Sequence, residues 1–245
     1  FEPALLKGLR GALTRRAYQA ADRVICLADG MREMVTTRLG VDSRRVVRIF
    51  NPIEPAVDGE ASPTDHRTGA GPRLMAIGTL EPRKGFDRIL AAMPRLLESR
   101  PKATLTIFGE GPERWALEQQ AVSLGLRGQV RFAGFSSKAA SELRSADLFV
   151  LSSRFEGMPN VLLEAIAARC PFVVVDHPGG TREMVELLGA EHRITNDLSE
   201  WMPEWFEPLT PRVRQLADQH FSYESIVQQY ANVVFPEAAG ARLAA

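Results

Sequence analysis

Short apolar runs recur along the second half of this chain, and each is followed by a longer stretch of mixed character that suits a helix. Arg73 to Ile77, Thr104 to Phe108, Val130 to Phe135, Asp147 to Ser153 and Phe172 to Asp176 are dominated by apolar residues rather than alternating, the pattern of strands buried on both faces of a parallel sheet. Five strand-helix alternations from Arg73 to Leu188 predict an α/β fold built on a doubly wound, Rossmann-like parallel sheet. A shorter stretch precedes them: a basic helix around Leu5 to Ala20, a strand from Asp22 to Leu27, a helix to Leu39, and a strand from Val46 to Phe50, closed by Asn51-Pro52-Ile53. Glu54 to Gly71, rich in proline, glycine, serine and charge, reads as a linker. Near the far end Ser222 is a good N-cap for a last helix running to Val234, and Trp201, Trp205 and Phe206 are expected to pack on the domain ahead of forming an apolar patch for a membrane or partner.

Composition narrows the class. With 45% hydrophobic residues in 245, the chain can bury one full core and part of another, and a formal net charge of zero offers no general attraction to nucleic acid. Cys26 and Cys170 both lie beside apolar runs, so neither a disulfide framework nor a cysteine-based metal site is expected, and a reducing cytoplasm is the default location. His66, His177, His192 and His220 show no metal-ligand spacing, no run approaches the length of a membrane span, and no signal-peptide pattern is present. Lys7, Arg10, Arg15, Arg16 and Arg23 cluster near the start; a solvated helix face is the first reading, and a peripheral contact with anionic lipid the second.

The chemistry concentrates in Arg154-Phe155-Glu156-Gly157-Met158-Pro159-Asn160-Val161-Leu162-Leu163-Glu164-Ala165. Pro159 suits a first helical position, and Val161 to Ala168 is apolar except at Glu164, so this helix is expected to be buried nearly all round. A lone buried carboxylate needs a partner, and hydroxyls of a bound sugar or ribose would satisfy it at about 1.5–3 kcal/mol per charged hydrogen bond. Ligands of open parallel sheets sit at the carboxyl ends of strands, where helix amides favour anions, and Gly157 to Asn160 can supply such amides. Glu156 at the same mouth either accepts hydroxyls of a group beyond the phosphates or merely caps the loop.

Glu156-Gly157-x-Pro159 followed by Glu164-Ala165 resembles the Glu-x7-Glu motif of family 4 retaining glycosyltransferases, which have the two-domain GT-B fold. The resemblance implies that Glu156 contacts the donor sugar and Glu164 the nucleotide ribose, so loss of Glu164 should weaken binding of the free diphosphate and loss of Glu156 should spare it. Gly78-Thr79-Leu80-Glu81-Pro82-Arg83-Lys84-Gly85-Phe86 resembles the family's phosphate-binding turn, with Lys84 the matching cation. Many members carry an arginine directly after the first glycine, where this chain has Thr79; either Arg83 substitutes for it or the diphosphate is held less tightly. A fixed cation there stabilises the charge that gathers on a departing diphosphate. The end of the strand Val130 to Phe135 resembles the family's approach to the nucleotide base, and Pro178-Gly179-Gly180-Thr181 its turn beside the donor sugar. The implied donor-binding set is Gly78, Thr79, Phe135, Gly157, Met158, Pro159, Asn160, Val161 and Glu164, with Glu156, Arg83 and Lys84 carrying the chemistry. A dinucleotide reading of Gly109-Glu110-Gly111 fails, because Arg114 stands where the third glycine is needed.

The resemblance divides the chain into the last part of an acceptor-side domain (1–53), a linker (54–72), a complete donor-binding domain (73–221), and a terminal helix crossing back to the first domain with its tail (222–245). It implies transfer of a hexosyl or N-acetylhexosaminyl group from a nucleoside-diphosphate sugar, a UDP-sugar ahead of GDP-mannose, to a hydroxyl acceptor that includes lipid-linked glycans. No metal or other cofactor is expected, the setting is bacterial surface polysaccharide or glycolipid synthesis at the cytoplasmic face, and this stretch alone should bind nucleotide without transferring sugar. The competing classes are a GT-B sugar-nucleotide epimerase, which would not be expected to show both glutamates in this register, and a non-catalytic nucleotide-sugar-binding module.

Overall fold

The computed structural model describes residues 8–53 and 71–235. Residues 54–70 of the expected linker (54–72), Lys7, His66 and the tail from 236 lie outside the described residues. The first segment folds as α1 (Gly8–Ala20), β1 (Val24–Cys26), α2 (Asp29–Leu39) and β2 (Val46–Arg48), the two strands forming a small parallel sheet.

The second segment carries β3 (Arg73–Ile77), α3 (Phe86–Ser99), β4 (Thr104–Phe108), α4 (Arg114–Ser123), β5 (Val130–Gly134), α5 (Ala139–Glu142), β6 (Leu148–Leu151), α6 (Asn160–Ala167), β7 (Phe172–Val175), α7 (Thr181–Leu187), β8 (Ile194–Thr195), α8 (Pro211–Phe221) and α9 (Tyr223–Val234). β3 to β8 form one parallel sheet in the order β5-β4-β3-β6-β7-β8. The chain winds outward from β3 to β5, then returns to lay β6 against β3 (Leu74 opposite Leu148) before winding the other way. That reversal opens a crevice at the carboxyl ends of β3 and β6, the usual ligand position in such sheets.

Strand periodicity builds two cores, one on each face. Leu74, Ala76, Leu105, Ile107, Leu148, Val150, Val173 and Val175 pack under α3 and α4, while Met75, Phe149, Leu151, Phe172 and Val174 pack under α6, α7 and α8. Both faces are apolar, which is why these strands read as continuous runs. Trp201 and Trp205 are buried edge to face, donating their indole N–H groups to the carbonyls of Ala92 (2.8 Å) and His192 (3.2 Å). Ile49 and Phe50, just past β2, join the second core, with Phe50 edge-on to Phe221 at 5.0 Å.

The sequence pattern did not reveal β8 or α8. β8 has two residues, too few to leave a period, and α8 buries only Val213, Ala217 and Phe221. The guanidinium of Arg193, buried at the start of β8, donates to the carbonyls of Phe172 (3.2 Å), Trp205 (2.8 Å) and Glu207 (2.8 Å) and holds this outer edge together.

Candidate functional site

Three loops meet at the crevice: Gly78 to Gly85 after β3, Ser152 to Pro159 after β6, and Asp176 to Gly180 after β7. Glycine is required where they touch. A Cβ on Gly85, which has φ +66°, would lie 2.1 Å from the Ser152 carbonyl oxygen, and one on Gly179, with φ +128°, would lie 1.6 Å from that of Glu156. Gly179 forms a strand-like bridge with Glu156, and the Gly180 amide donates to the Gly157 carbonyl at 2.9 Å. The Gly179-Gly180 turn is thus a backing for Glu156.

Glu156 is the buried carboxylate of the site, at 6% exposure. Its Oε1 accepts from Lys84 Nζ at 2.5 Å and from Ser153 Oγ at 2.8 Å, and its Oε2 lies 3.7 Å from Arg83 Nη1. Arg83 also pairs with Glu81 at 2.7 Å. Two cations from one loop therefore converge on one carboxylate from the next, with Lys84 largely buried and Arg83 half-exposed. A buried carboxylate held this way remains an acceptor for further hydroxyls, and the cations remain donors to a second anion.

Glu164 corrects an expectation. It is exposed, and α6 is not buried all round: Leu162, Leu163, Ala165 and Ile166 face the core while Asn160, Val161, Glu164 and Ala168 line an open or half-open stripe. Apolar Val161 and Ala168 on that stripe hid it from the sequence pattern. The desolvation argument first made for Glu164 belongs to Glu156. Pro159 also sits one position earlier than expected, as the residue preceding α6 rather than its first.

The other expected residues fall into groups. Gly78 ends β3, donating its amide to the Phe108 carbonyl at 3.0 Å, and Thr79 is exposed beside it. Phe135, just past β5, is 80% exposed at the far edge of the sheet, with β4 and β3 between β5 and β6. Met158 and Asn160 turn toward the first segment: the Asn51 amide N–H points at Met158 Sδ (3.2 Å) and the Asn51 side chain donates to Asn160 Oδ1 (2.6 Å). Gly157 lies beside Met31, since a Cβ there would be 3.5 Å from its sulfur.

Sequence reasoning missed the braces around these groups. Ser152 and Ser153, polar residues ending an apolar strand, were a legible signal; Arg154 and Asp87 left none. Glu183 of α7 accepts the Asp29 amide (2.8 Å) and pairs with Arg48 (3.2 Å), tying the small sheet to the large one. Burial pushes the Glu183 carboxyl above its ordinary value, and the nearby Asp29 charge adds to this against the pull of Arg48. His177 Nε2 and Thr181 Oγ1, on the turn behind Glu156, are buried with no hydrogen-bond partner, as is Arg214 Nε on α8. Burial raises both cysteine thiols, that of Cys170 to about 12, so neither is activated for nucleophilic work. Among the described residues no three His, Cys, Asp or Glu side chains group as metal ligands, and no helix is long and apolar enough to cross a membrane.

Comparison with known proteins gives these loops a context. The family model for glycosyl transferases group 1 matches residues 64–190, just over half of the chain. The lipopolysaccharide core biosynthesis glycosyltransferase LpsE of Rhizobium meliloti is 34% identical over 161 residues, covering 65% of this chain and 46% of that protein. Glycogen synthase of Mycobacterium tuberculosis is 33% identical over 186 residues, covering 71% of this chain and 44% of that protein. The chain thus spans about half the length of these curated relatives. Among solved structures, Anabaena Alr3699/HepE in complex with UDP superposes with a TM-score of 0.77 at 22% identity, covering 96% of this chain and 68% of that one. Staphylococcus aureus TarM superposes at 0.75 with 15% identity, covering 95% and 48%. These likenesses show an α/β fold of the GT-B type.

Proposed function

The chain belongs to the group 1 glycosyl transferases, and from that premise we propose that it supplies the donor-binding part of a family 4 retaining enzyme, which moves a hexosyl or N-acetylhexosaminyl group from a nucleoside-diphosphate sugar to a hydroxyl acceptor. Residues 73–221 form the donor domain in this reading, 1–53 the end of the acceptor-side domain, 54–72 the connection, and 222–245 the return helix and tail.

The observation that carries the proposal is the convergence of Lys84 and Arg83 on Glu156 at the crevice where the sheet reverses. A diphosphate takes the cations, and the developing charge on the leaving group is stabilised by groups already fixed in place. Glu156, turned toward the same space, accepts hydroxyls of the donor sugar. Its oxygens are already engaged by its cations and Ser153, so it orients the sugar instead of attacking it, in keeping with same-face delivery of the acceptor hydroxyl and retention at the anomeric carbon. Glu164 on the open stripe of α6 holds the ribose, and Phe135 lies toward the base. UDP ranks first as the nucleotide, in line with the UDP complex of HepE, and GDP-mannose second. The acceptor class includes lipid-linked glycans of bacterial surface polymers, reached from the cytoplasmic side through a peripheral membrane contact.

Thermal shift with UDP, GDP, ADP, CMP and NAD tests the nucleotide assignment. One site filled at about 100 times its dissociation constant stabilises the fold by about 2.7 kcal/mol. UDP is expected to give the largest shift, and Lys84→Ala to shrink it. A response to NAD alone, or an unchanged UDP shift in Lys84→Ala, contradicts the reading.

A further inference from the structure

The turn that carries Arg83 and Lys84 is a short 3-10 segment, Pro82–Lys84, with no buried residue of its own; both cations are long side chains, and neither is buried fully. Its geometry comes from the neighbouring loop. The Arg154 guanidinium donates to the Pro82 carbonyl at 2.7 Å, the Arg154 amide to the Arg83 carbonyl at 2.7 Å, and Ser152 Oγ to the Lys84 carbonyl at 2.9 Å. Three successive carbonyls of the turn are therefore held from the stretch that leads to Glu156. Nη1, which makes the Pro82 contact, and Nη2 of the same guanidinium donate to the two oxygens of Asp87 in the first turn of α3, at 2.7 and 2.6 Å. Arg154 thus joins three pieces of backbone: the cation turn, the start of α3, and the loop carrying Glu156.

We infer that Arg154 is a positioning residue for the diphosphate site, fixing where Lys84 presents its ammonium while touching no ligand itself. The inference rests on the donor-site reading above. Its chemistry is particular to arginine, because the planar fork reaches a carbonyl and a bidentate carboxylate together, and a lysine point charge cannot serve both. The hydrogen bonds of Arg154 also lower the Asp87 carboxyl, showing that Asp87 is held as the anion.

A double-mutant cycle on this chain tests the inference, with calorimetric affinities for UDP and for uridine in wild type, Arg154→Gln, Lys84→Ala and the double variant. The difference between UDP and uridine isolates the diphosphate's share. Arg154→Gln is expected to lose about tenfold in UDP affinity, the scale of one displaced charge-assisted hydrogen bond, while uridine binding and the melting temperature stay near wild type. In the Lys84→Ala background Arg154→Gln is expected to cost no more, because its effect passes through Lys84. Arg154→Lys should not restore UDP affinity. Losses that add in the double variant, or equal losses for UDP and uridine, overturn the positioning role. Failure of wild type to bind UDP, or indifference of UDP to Lys84→Ala, would instead defeat the donor-site reading, so the two failures are distinct.

Discussion

Replacing Glu156 by glutamine should tighten binding of a free nucleoside diphosphate while weakening the empty protein. Glutamine keeps the shape of the side chain but removes the charge that Lys84 meets at 2.5 Å and Arg83 at 3.7 Å. In the empty site this carboxylate occupies the cations that a diphosphate needs, and it repels the incoming anion. A unit charge about 4 Å away at an effective dielectric near 20 is worth about 4 kcal/mol. Water in an open crevice and counterions reduce this several-fold, leaving about 1 kcal/mol, or about fivefold in affinity. The empty variant leaves a mostly buried lysine unpaired, a cost between that of a surface pair and a buried one, about 2 kcal/mol. Calorimetry with UDP and urea melts with and without UDP read both quantities. Glu156→Gln is expected to melt earlier when empty and to gain more from UDP than wild type gains. This goes a step beyond the expectation from sequence that loss of Glu156 spares the diphosphate. Equal or weaker UDP binding in Glu156→Gln would show that Lys84 does not pass from carboxylate to phosphate.

Three further outcomes follow from other parts of the structure. Because Glu164 is exposed on α6, Glu164→Ala should change stability by less than about 0.5 kcal/mol yet weaken UDP and uridine alike by about tenfold, as a ribose contact would; a loss confined to UDP, with uridine untouched, contradicts the ribose assignment. Arg193→Leu leaves the carbonyls of Phe172, Trp205 and Glu207, the first two in buried contacts, without this donor and should cost about 3 kcal/mol in a urea melt, whereas a cost below about 1 kcal/mol would show that the outer edge does not depend on it. The Arg154 guanidinium holds the Asp87 carboxyl below its ordinary value of 3.8, so its share of stability is fully present above that value and is lost as the pH falls through it toward the lower folded value. Asp87→Asn should therefore cost no more than about 1 kcal/mol near neutral pH, and the gap from wild type should close below about pH 4; a gap constant into strong acid contradicts the pairing.

The sequence shows the large sheet because its strands are buried on both faces, so Leu148 to Leu151 and Phe172 to Val175 are apolar at every position. β8 and α8 escape the same reading, since the first is too short for a period and the second buries only Val213, Ala217 and Phe221. The site divides in the same way. Gly85 and Gly179 were legible as turns, and Lys84 with Glu156 as candidates by resemblance. That Lys84 and Glu156 touch each other, and that Glu164 does not share their burial, depends on which face of α6 meets the core, and Val161 and Ala168 conceal that face. Arg154 and Asp87 are separated by 67 positions, and nothing local in either marks the pairing.

The proposed retention is tested most directly by the stereochemistry of transfer in the full-length protein. Proton NMR of the anomeric signal, followed while that protein consumes an α-linked UDP-sugar in the presence of a hydroxyl acceptor, reports the outcome directly. An α-linked product, and its loss in Lys84→Ala, is the expected result. A β-linked product, a donor inverted at C2 with no acceptor modified, or a donor bound through Lys84 and never consumed would contradict it.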